Sequence, residues 1–211
     1  KVYKTVKIDL PPHIKEVTDE AALNKYGLSQ GDLINDKTGF KSAVFENKIT
    51  GEVTYAYAGT DPKLNDINTN AIQGVGLTSD AYKQGINNAV KFNEATKHLA
   101  IKASVTGHSM GGGIAAASSE KTGLEAKTYN AAGVHPFTVI FGESTDNIDN
   151  YYIKYDPLSN IQNGLFIFPD ASGRQHELEP KNKDASTLYK IIKGHSIETI
   201  IKSPDLKDKE W

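Results

Sequence analysis

The sequence has 211 residues, no cysteine, and a single arginine among its 24 basic residues. The lack of cysteine excludes disulfides, thiolate catalysis and cysteine-ligated zinc or iron–sulfur sites, but it leaves the cellular compartment open. Because Arg174 is the only guanidinium and the formal charge is −2, bidentate recognition of phosphates or guanines is almost unavailable. We therefore expect no nucleic-acid partner.

Long apolar runs are also absent. No segment approaches the roughly 20 apolar residues that span a bilayer, and residues 1–12 lack the apolar core of a signal peptide. The chain begins at Lys1 instead of methionine, which is typical of an excerpt or a processed product. Its length favours one domain over residues 1–211, and its 38% hydrophobic and 24% charged residues are typical of a globular protein.

Short apolar segments alternate with helical patterns along the chain. Two strands flank the turn Thr50-Gly51 and predict an early β-hairpin. The predicted strands are 42–47, 52–57, 101–106, 126–130, 137–141, 151–155 and 165–168, and the predicted helices are 79–98, 114–121 and 186–202. This alternation predicts an α/β fold with a mostly parallel central sheet, helices on both faces and an antiparallel N-terminal edge.

The segment Gly107-His108-Ser109-Met110-Gly111 matches the G-x-S-x-G nucleophile elbow, and it lies between a predicted strand and a predicted helix. The serine of such an elbow needs a sharp, strained turn, and glycine at positions 107 and 111 avoids collisions of side chains with the neighbouring strand and helix. The following helix N-terminus offers N–H groups and a positive dipole end to an oxyanion. The alternative is that residues 111–113 form only a flexible glycine loop.

A nucleophilic serine needs a base that is oriented by an acid, and in this fold the chain order is Ser, Asp or Glu, then His. Asp156 follows an apolar strand directly and precedes Pro157. Asp-Pro is also a common turn opener, so the pair by itself decides nothing. Asp146 and Asp149 are rival acids, but we expect them to precede this strand.

Two histidines follow Asp156 in the sequence. His176 lies in a polar segment that is predicted to be a loop, whereas His195 lies where Gly194 interrupts a helical pattern. We favour His195 as the base and keep His176 as the alternative. His108, inside the elbow, is expected to point away from the serine hydroxyl.

An oxyanion hole needs two N–H donors. We expect one from Met110, the residue after the nucleophile. The other would come from Thr60, at the junction that follows the second hairpin strand. The alternative is that this junction is only a turn.

With these residues in place, the chain resembles the class 3 lipase family, the serine lipases and phospholipases A1 of fungal-lipase type. The resemblance runs from about Gly39 to His195. It rests on segments that occur in the family's order, namely Gly39-Phe40, Tyr55-Ala56-Tyr57-Ala58-Gly59-Thr60, Thr106-Gly107-His108-Ser109-Met110-Gly111-Gly112, Tyr129-Asn130-Ala131-Ala132-Gly133 and Tyr155-Asp156-Pro157-Leu158.

The resemblance implies an α/β-hydrolase fold with Ser109 as nucleophile, Asp156 as acid and His195 as base. It also implies that Thr60 and Met110 are the oxyanion donors and that residues 62–77 stand in place of the family's lid. The family usually has arginine where Ala58 stands, and it often has a lid tryptophan where this chain has Asn65-Asp66-Ile67-Asn68. The lid is therefore less apolar, which weakens the expectation of long-chain triglyceride preference.

These features predict a serine esterase that acts on lipid esters and needs no metal or organic cofactor. The alternatives are a soluble carboxylesterase for small acyl esters and a catalytically inactive binding domain of the same fold. The chain is also similar to bacterial lipase-like toxin domains. That similarity implies delivery outside the producing cell, transient contact with a membrane surface, and a neutralising protein partner.

Overall fold

The computed structural model describes residues 10–59, 79–132, 145–154, 171–180 and 196–206. The strands are β1 (Ile14–Glu16), β2 (Ile34–Asn35), β3 (Phe40–Asn47), β4 (Val53–Tyr57), β5 (Ala103–His108), β6 (Glu125–Tyr129), β7 (Ile148–Ile153) and β8 (Arg174–Leu178). The helices are α1 (Glu20–Lys25), α2 (Gln30–Leu33), α3 (Ser79–His98), α4 (Met110–Thr122) and α5 (Ile197–Ile201). Short 3₁₀ turns cover Thr145–Asn147 and Pro204–Leu206.

The strands form one mixed sheet in the order β1-β3-β4-β5-β6-β7-β8, with β2 also paired to β3. The pairs that involve β3 are antiparallel. Every later pair, from β4–β5 to β7–β8, is parallel. The predicted α/β fold with an antiparallel N-terminal edge is confirmed.

Helices α3 and α4 share a core with one face of the sheet, which buries Val44, Tyr55, Val105, Ala126 and Ile148. All ten residues of helix α4 from Met110 to Ser119 are buried. The helix is therefore surrounded almost completely, which explains why its residues are small. Gly123 ends this helix in the left-handed conformation at φ 74°, which glycine adopts without a Cβ penalty.

Helix α5 packs on the other face of the sheet, near the β7–β8 end. There Tyr151, Ile153 and Leu178 form a second buried cluster with Ile200 of this helix. Helices therefore cover both faces, as predicted. Within the described ranges, no helix has the length and apolar character to cross a membrane.

Helix α3 begins and ends where the sequence predicted, whereas two other predictions are wrong. The polar segment around His176, which was predicted to be a loop, is strand β8. Its polar side chains form hydrogen bonds with side chains of β7. Strand β7 begins at Ile148, so Asp149 lies inside the strand instead of preceding it. The short elements β1, β2, α1 and α2 were not predicted. Outside the described residues lie the predicted strands 137–141 and 165–168, the lid-like segment 62–77, and the first part of the predicted helix 186–202.

Candidate active site

Ser109 connects the end of β5 to the start of α4. Its backbone has φ 57° and ψ −125°, a combination that L-residues adopt rarely and that costs about 1–3 kcal/mol. Such strain persists only where the surrounding structure holds it, and it concentrates at functional sites. Ser109 thus has the backbone of a nucleophile elbow.

Three backbone hydrogen bonds hold this conformation. The N–H of Ser109 donates to the carbonyl oxygen of Tyr129 at 3.0 Å. The Ser109 carbonyl oxygen accepts from the N–H of Gly113 at 3.1 Å and from the N–H of Ala132 at 3.0 Å. The strained residue is therefore tied both to its own helix and to the segment that follows β6.

The glycines on either side of Ser109 have no room for a side chain. A Cβ on Gly107 would overlap the carbonyl oxygen of Gly111, and a Cβ on Gly111 would overlap the carbonyl oxygen of Tyr57. Residues 111–113 belong to α4 and are buried, so the alternative of a flexible glycine loop is excluded. The turn from β5 into α4 can pack against β4 only because these positions lack side chains.

Met110 is the first residue of α4, a helix of 13 residues. The first turn of a helix directs its N–H groups outward along the axis, at the positive end of the helix dipole. Met110 belongs to this first turn, and its role as an oxyanion donor stays a prediction.

Gly59 lies directly against the nucleophile turn. A Cβ on Gly59 would sit 2.9 Å from the carbonyl oxygen of His108 and 3.4 Å from the Cβ of Ser109. Thr60, the other predicted donor, is the next residue in the chain and lies outside the described residues. The segment that leads to Thr60 therefore reaches Ser109.

The two rival acids lie in or before the amino-terminal half of β7. Asp149 is the second residue of that strand, and Asp146 lies in the preceding 3₁₀ turn. Because β5, β6 and β7 are parallel, and Asp149 is in register with Lys127 and, through it, with Thr106, Asp149 lies three residues before the level of Ser109. Asp156 follows the carboxyl end of β7 by three residues and is itself outside the described residues.

Asp149 forms hydrogen bonds with two residues of β8, Arg174 and His176. Arg174 donates to both of its carboxylate oxygens, at 2.9 and 2.8 Å, and Nε2 of His176 lies 2.6 Å from Oδ1. The Arg174 guanidinium, with help from His176, lowers the pKa of Asp149 from 3.8 to about 2. This cluster explains the polar sequence of β8.

His176 is separated from the strand that leads to Ser109 by three strand spacings. It is on β8, three strands from β5, which at about 4.8 Å per strand is about 14 Å. Its ring stacks on Tyr151 with centroids 4.7 Å apart, and Tyr151 stacks on Tyr129 at 5.7 Å. The structure does not bring His176 and Ser109 together.

His195 lies outside the described residues, and its neighbour Ser196 is the first described residue of the next range. The hydroxyl of Ser196 caps α5 by accepting from the N–H of Glu198 at 3.3 Å. Ile197 packs on the cluster of Tyr151, Ile153, Leu178 and Ile200, against which Tyr129 also packs. The carbonyl oxygen of Tyr129 accepts a hydrogen bond from the N–H of Ser109. The start of α5 therefore packs on a cluster that also contacts a hydrogen-bond partner of Ser109.

A cavity of about 510 Å³ opens on the sheet face opposite α3 and α4. Side chains of β4, β5 and β6 line it, among them Thr54, Thr106 and Tyr129. None of the predicted site residues that the structure describes is in its lining. This cavity is therefore distinct from the Ser109 turn.

Sequence reasoning overlooked one buried polar residue beside the turn. Asn130 follows β6, is fully buried, and has φ 42°. It lies in a segment, Tyr129-Asn130-Ala131-Ala132-Gly133, that the resemblance had marked without giving it a role. An asparagine between a strand and small residues was the available signal, because asparagine tolerates the left-handed region.

A strained serine at the turn from a parallel strand into a buried helix is typical of the nucleophile elbow of α/β-hydrolases. A sequence model of one family, described as Phospholipase-like: Tle-like phospholipase domain, matches residues 1–201. The chain therefore belongs to this phospholipase-like family, and the predicted resemblance to lipases and phospholipases is confirmed.

A relative and two solved structures are similar to the chain. Extracellular phospholipase A1 of Serratia liquefaciens is 27% identical over 212 residues, which cover 91% of this chain and 64% of that protein. This chain thus matches less than two thirds of its relative's length.

The Rhizomucor miehei lipase propeptide complex is 14% identical with a TM-score of 0.48, covering 78% of this chain and 70% of that one. Lip2 lipase from Yarrowia lipolytica is 12% identical with a TM-score of 0.43, covering 81% of this chain and 66% of that one.

Proposed function

We propose that the chain is a serine hydrolase of lipid esters, of the phospholipase A1 type, with Ser109 as its nucleophile. The observation that carries the proposal is the strained backbone of Ser109 at the junction of β5 and α4. A serine that only capped a helix would not need φ 57°, because ordinary N-cap residues have extended backbone.

In the proposed mechanism, His195 accepts the Ser109 proton as Oγ attacks the ester carbonyl, and Asp156 orients the imidazole. The N–H groups of Met110 and Thr60 stabilise the tetrahedral oxyanion. The alcohol leaves with a proton from His195, and water then hydrolyses the acyl-enzyme by the same steps. Loss of the nucleophile or the base is expected to lower the rate by about 10³–10⁶.

The lipid substrate is supported by the family to which the chain belongs and by the relative named as a phospholipase A1. Phospholipid is therefore the substrate class that we propose first.

The test is mass spectrometry of the products that form from a mixed pool of phospholipids and triglycerides. We expect 2-acyl lysophospholipid and free fatty acid with the wild type, and neither with Ser109→Ala. Hydrolysis confined to short-chain soluble esters would replace the proposal with a carboxylesterase. No Ser109-dependent product from any ester would indicate a binding domain of this fold.

We also propose that the protein acts outside the producing cell and touches a membrane surface transiently. The relative from Serratia liquefaciens is named as an extracellular phospholipase, which supports this. If the chain is a toxin domain, a neutralising protein binds it in the producing cell. Measuring hydrolysis in the culture medium and in washed cells tests the location: activity that stays entirely in the cells would contradict it.

A further inference from the structure

Both the backbone and the side chain of Asn130 form hydrogen bonds to β7. Its N–H donates to the carbonyl oxygen of Tyr151 at 2.8 Å. Its side-chain Oδ1 accepts from the N–H of Ile153 at 3.0 Å, and this bond is buried. The asparagine thus takes part in two consecutive hydrogen bonds at the end of the β6–β7 pair.

The second of these bonds replaces a backbone rung. In a parallel ladder, a residue that donates to position j accepts from position j+2 on its own carbonyl. Ile153 instead donates to the side-chain oxygen of Asn130, so the amide group stands in for the main-chain carbonyl. The backbone of Asn130 is thereby able to turn to φ 42° and leave the sheet while β7 continues in register to Ile153.

The turn of the chain away from the sheet at Asn130 brings the next residues to the Ser109 turn. The residue before it, Tyr129, accepts the N–H of Ser109, and Ala132, two residues after it, donates to the Ser109 carbonyl oxygen. A continued β6 strand would carry Ala132 away from Ser109. The left-handed turn at Asn130 therefore supplies one of the bonds that hold the strained serine.

We propose that Asn130 is a positioning residue, which fixes the Ser109 turn relative to the carboxyl end of β7. This inference rests on the proposed function, in which Asp156 follows Ile153 by three residues and orients the base. Asn130 acts through hydrogen bonds on two sides: through Tyr129 and Ala132 on the nucleophile, and through Ile153 on the strand that leads to the acid.

The first test is Asn130→Gly. Glycine accepts φ 42° at no steric cost but lacks the oxygen that Ile153 needs. Because misplacement by about 1 Å costs about 100-fold in rate, we expect kcat for phospholipid hydrolysis to fall about 10- to 100-fold per folded molecule, with KM within about twofold. An unchanged kcat would overturn the proposal.

Thr128→Val is the matched control. Thr128 is buried on the same strand, and its hydroxyl donates to Oδ1 of Asn150 on β7 at 2.9 Å. The substitution removes one buried bond between the same two strands and leaves the three backbone hydrogen bonds of Ser109 in place. We expect a lower melting temperature with kcat unchanged. If kcat falls as much as in Asn130→Gly, the effect is general weakening of the sheet and the proposal is wrong.

A double-mutant cycle tests whether Asn130 acts through the acid. In an Asp156→Asn background, Asn130→Gly is expected to change kcat by less than about twofold, because residues that act as a unit are not additive. A further loss of tenfold or more would contradict this route. If Asn130→Gly does not fold, Asn130→Asp retains an acceptor oxygen and should keep kcat within about tenfold of the wild type; a larger loss overturns the proposal.

Failure of the positioning role and failure of the proposed function give different results. If wild-type hydrolysis is lost in Ser109→Ala but unaffected in Asn130→Gly, only the positioning role is wrong. If hydrolysis by the wild type does not depend on Ser109, the proposed function fails, and the positioning role fails with it.

Discussion

Gly111 lies so close to Tyr57 that a Cβ on the glycine would overlap the carbonyl oxygen of the tyrosine. This contact joins the first turn of α4 to the end of β4. It fixes the distance between the helix that follows Ser109 and the strand that leads to Gly59 and Thr60. The narrow spacing is a property of backbone atoms, so no side-chain rearrangement relieves an added methyl group.

Gly111→Ala should therefore damage both stability and the site. We expect a loss of about 1–3 kcal/mol in the free energy of unfolding, as for other overpacked positions, together with slower labelling of Ser109 by a fluorophosphonate probe. Gly31→Ala is the control, because its nearest contact would be 3.8 Å away. Its effect should stay within about 0.5 kcal/mol. Wild-type stability and labelling in Gly111→Ala would contradict the steric account.

Ser109→Gly tests the backbone strain at the nucleophile. Glycine accepts φ 57° and ψ −125° readily, so about 1–3 kcal/mol of strain is relieved. The greater freedom of glycine in the unfolded chain offsets about 0.5–1 kcal/mol of that. Urea denaturation should show a variant that is about 1 kcal/mol more stable than the wild type and has no hydrolytic activity. A variant less stable than Ser109→Ala would mean that the turn is not strained.

The two histidines should respond differently to substitution. His195→Ala is expected to lower kcat about as much as Ser109→Ala, since each removes a member of the proposed triad. His176→Ala should leave kcat nearly unchanged, because His176 is on β8 and pairs with Asp149. Initial rates on one phospholipid decide between them, and the reverse order would assign the base to His176.

The ion pair of Asp149 predicts a specific dependence of stability on pH. The folded-state pKa is about 2, below the ordinary value of 3.8, so the charged carboxylate stabilises the fold at pH values above about 4. This contribution is lost as the pH falls through about 2. Since Arg174 is largely exposed, we expect solvent screening to reduce the contribution to about 1 kcal/mol.

Unfolding measurements between pH 2 and pH 5 test this prediction. Asp149→Asn should be less stable than the wild type at pH 5, and the difference should shrink towards pH 2. Lys91→Met is the control, because it removes a different ion pair, that of Lys91 with Asp32 at 2.9 Å. In this variant, the effect of Asp149→Asn on the free energy of unfolding should be the same as in the wild type. A constant difference across this pH range would mean that the Asp149 charge does not contribute.

The elbow could be predicted from sequence because its requirements are local. Gly107, Ser109 and Gly111 lie within five residues, and their collisions involve the turn itself and the adjacent strand. Strand β8 could not be predicted in this way, because its polar residues are explained by distant partners such as Asp149, which precedes Arg174 by 25 residues. The role of Asn130 was likewise hidden, since it depends on which strand pairs with β6. Asp156, His195 and Thr60 stay predictions, because they lie outside the described residues.

Fluorophosphonate labelling of the folded protein, followed by peptide mass mapping, tests the central claim most directly. A serine at this strained turn, with an imidazole as its base, should react at Ser109 and at no other serine. The label should disappear in His195→Ala and persist in His176→Ala. A folded wild-type protein in which Ser109 stays unlabelled would contradict the account.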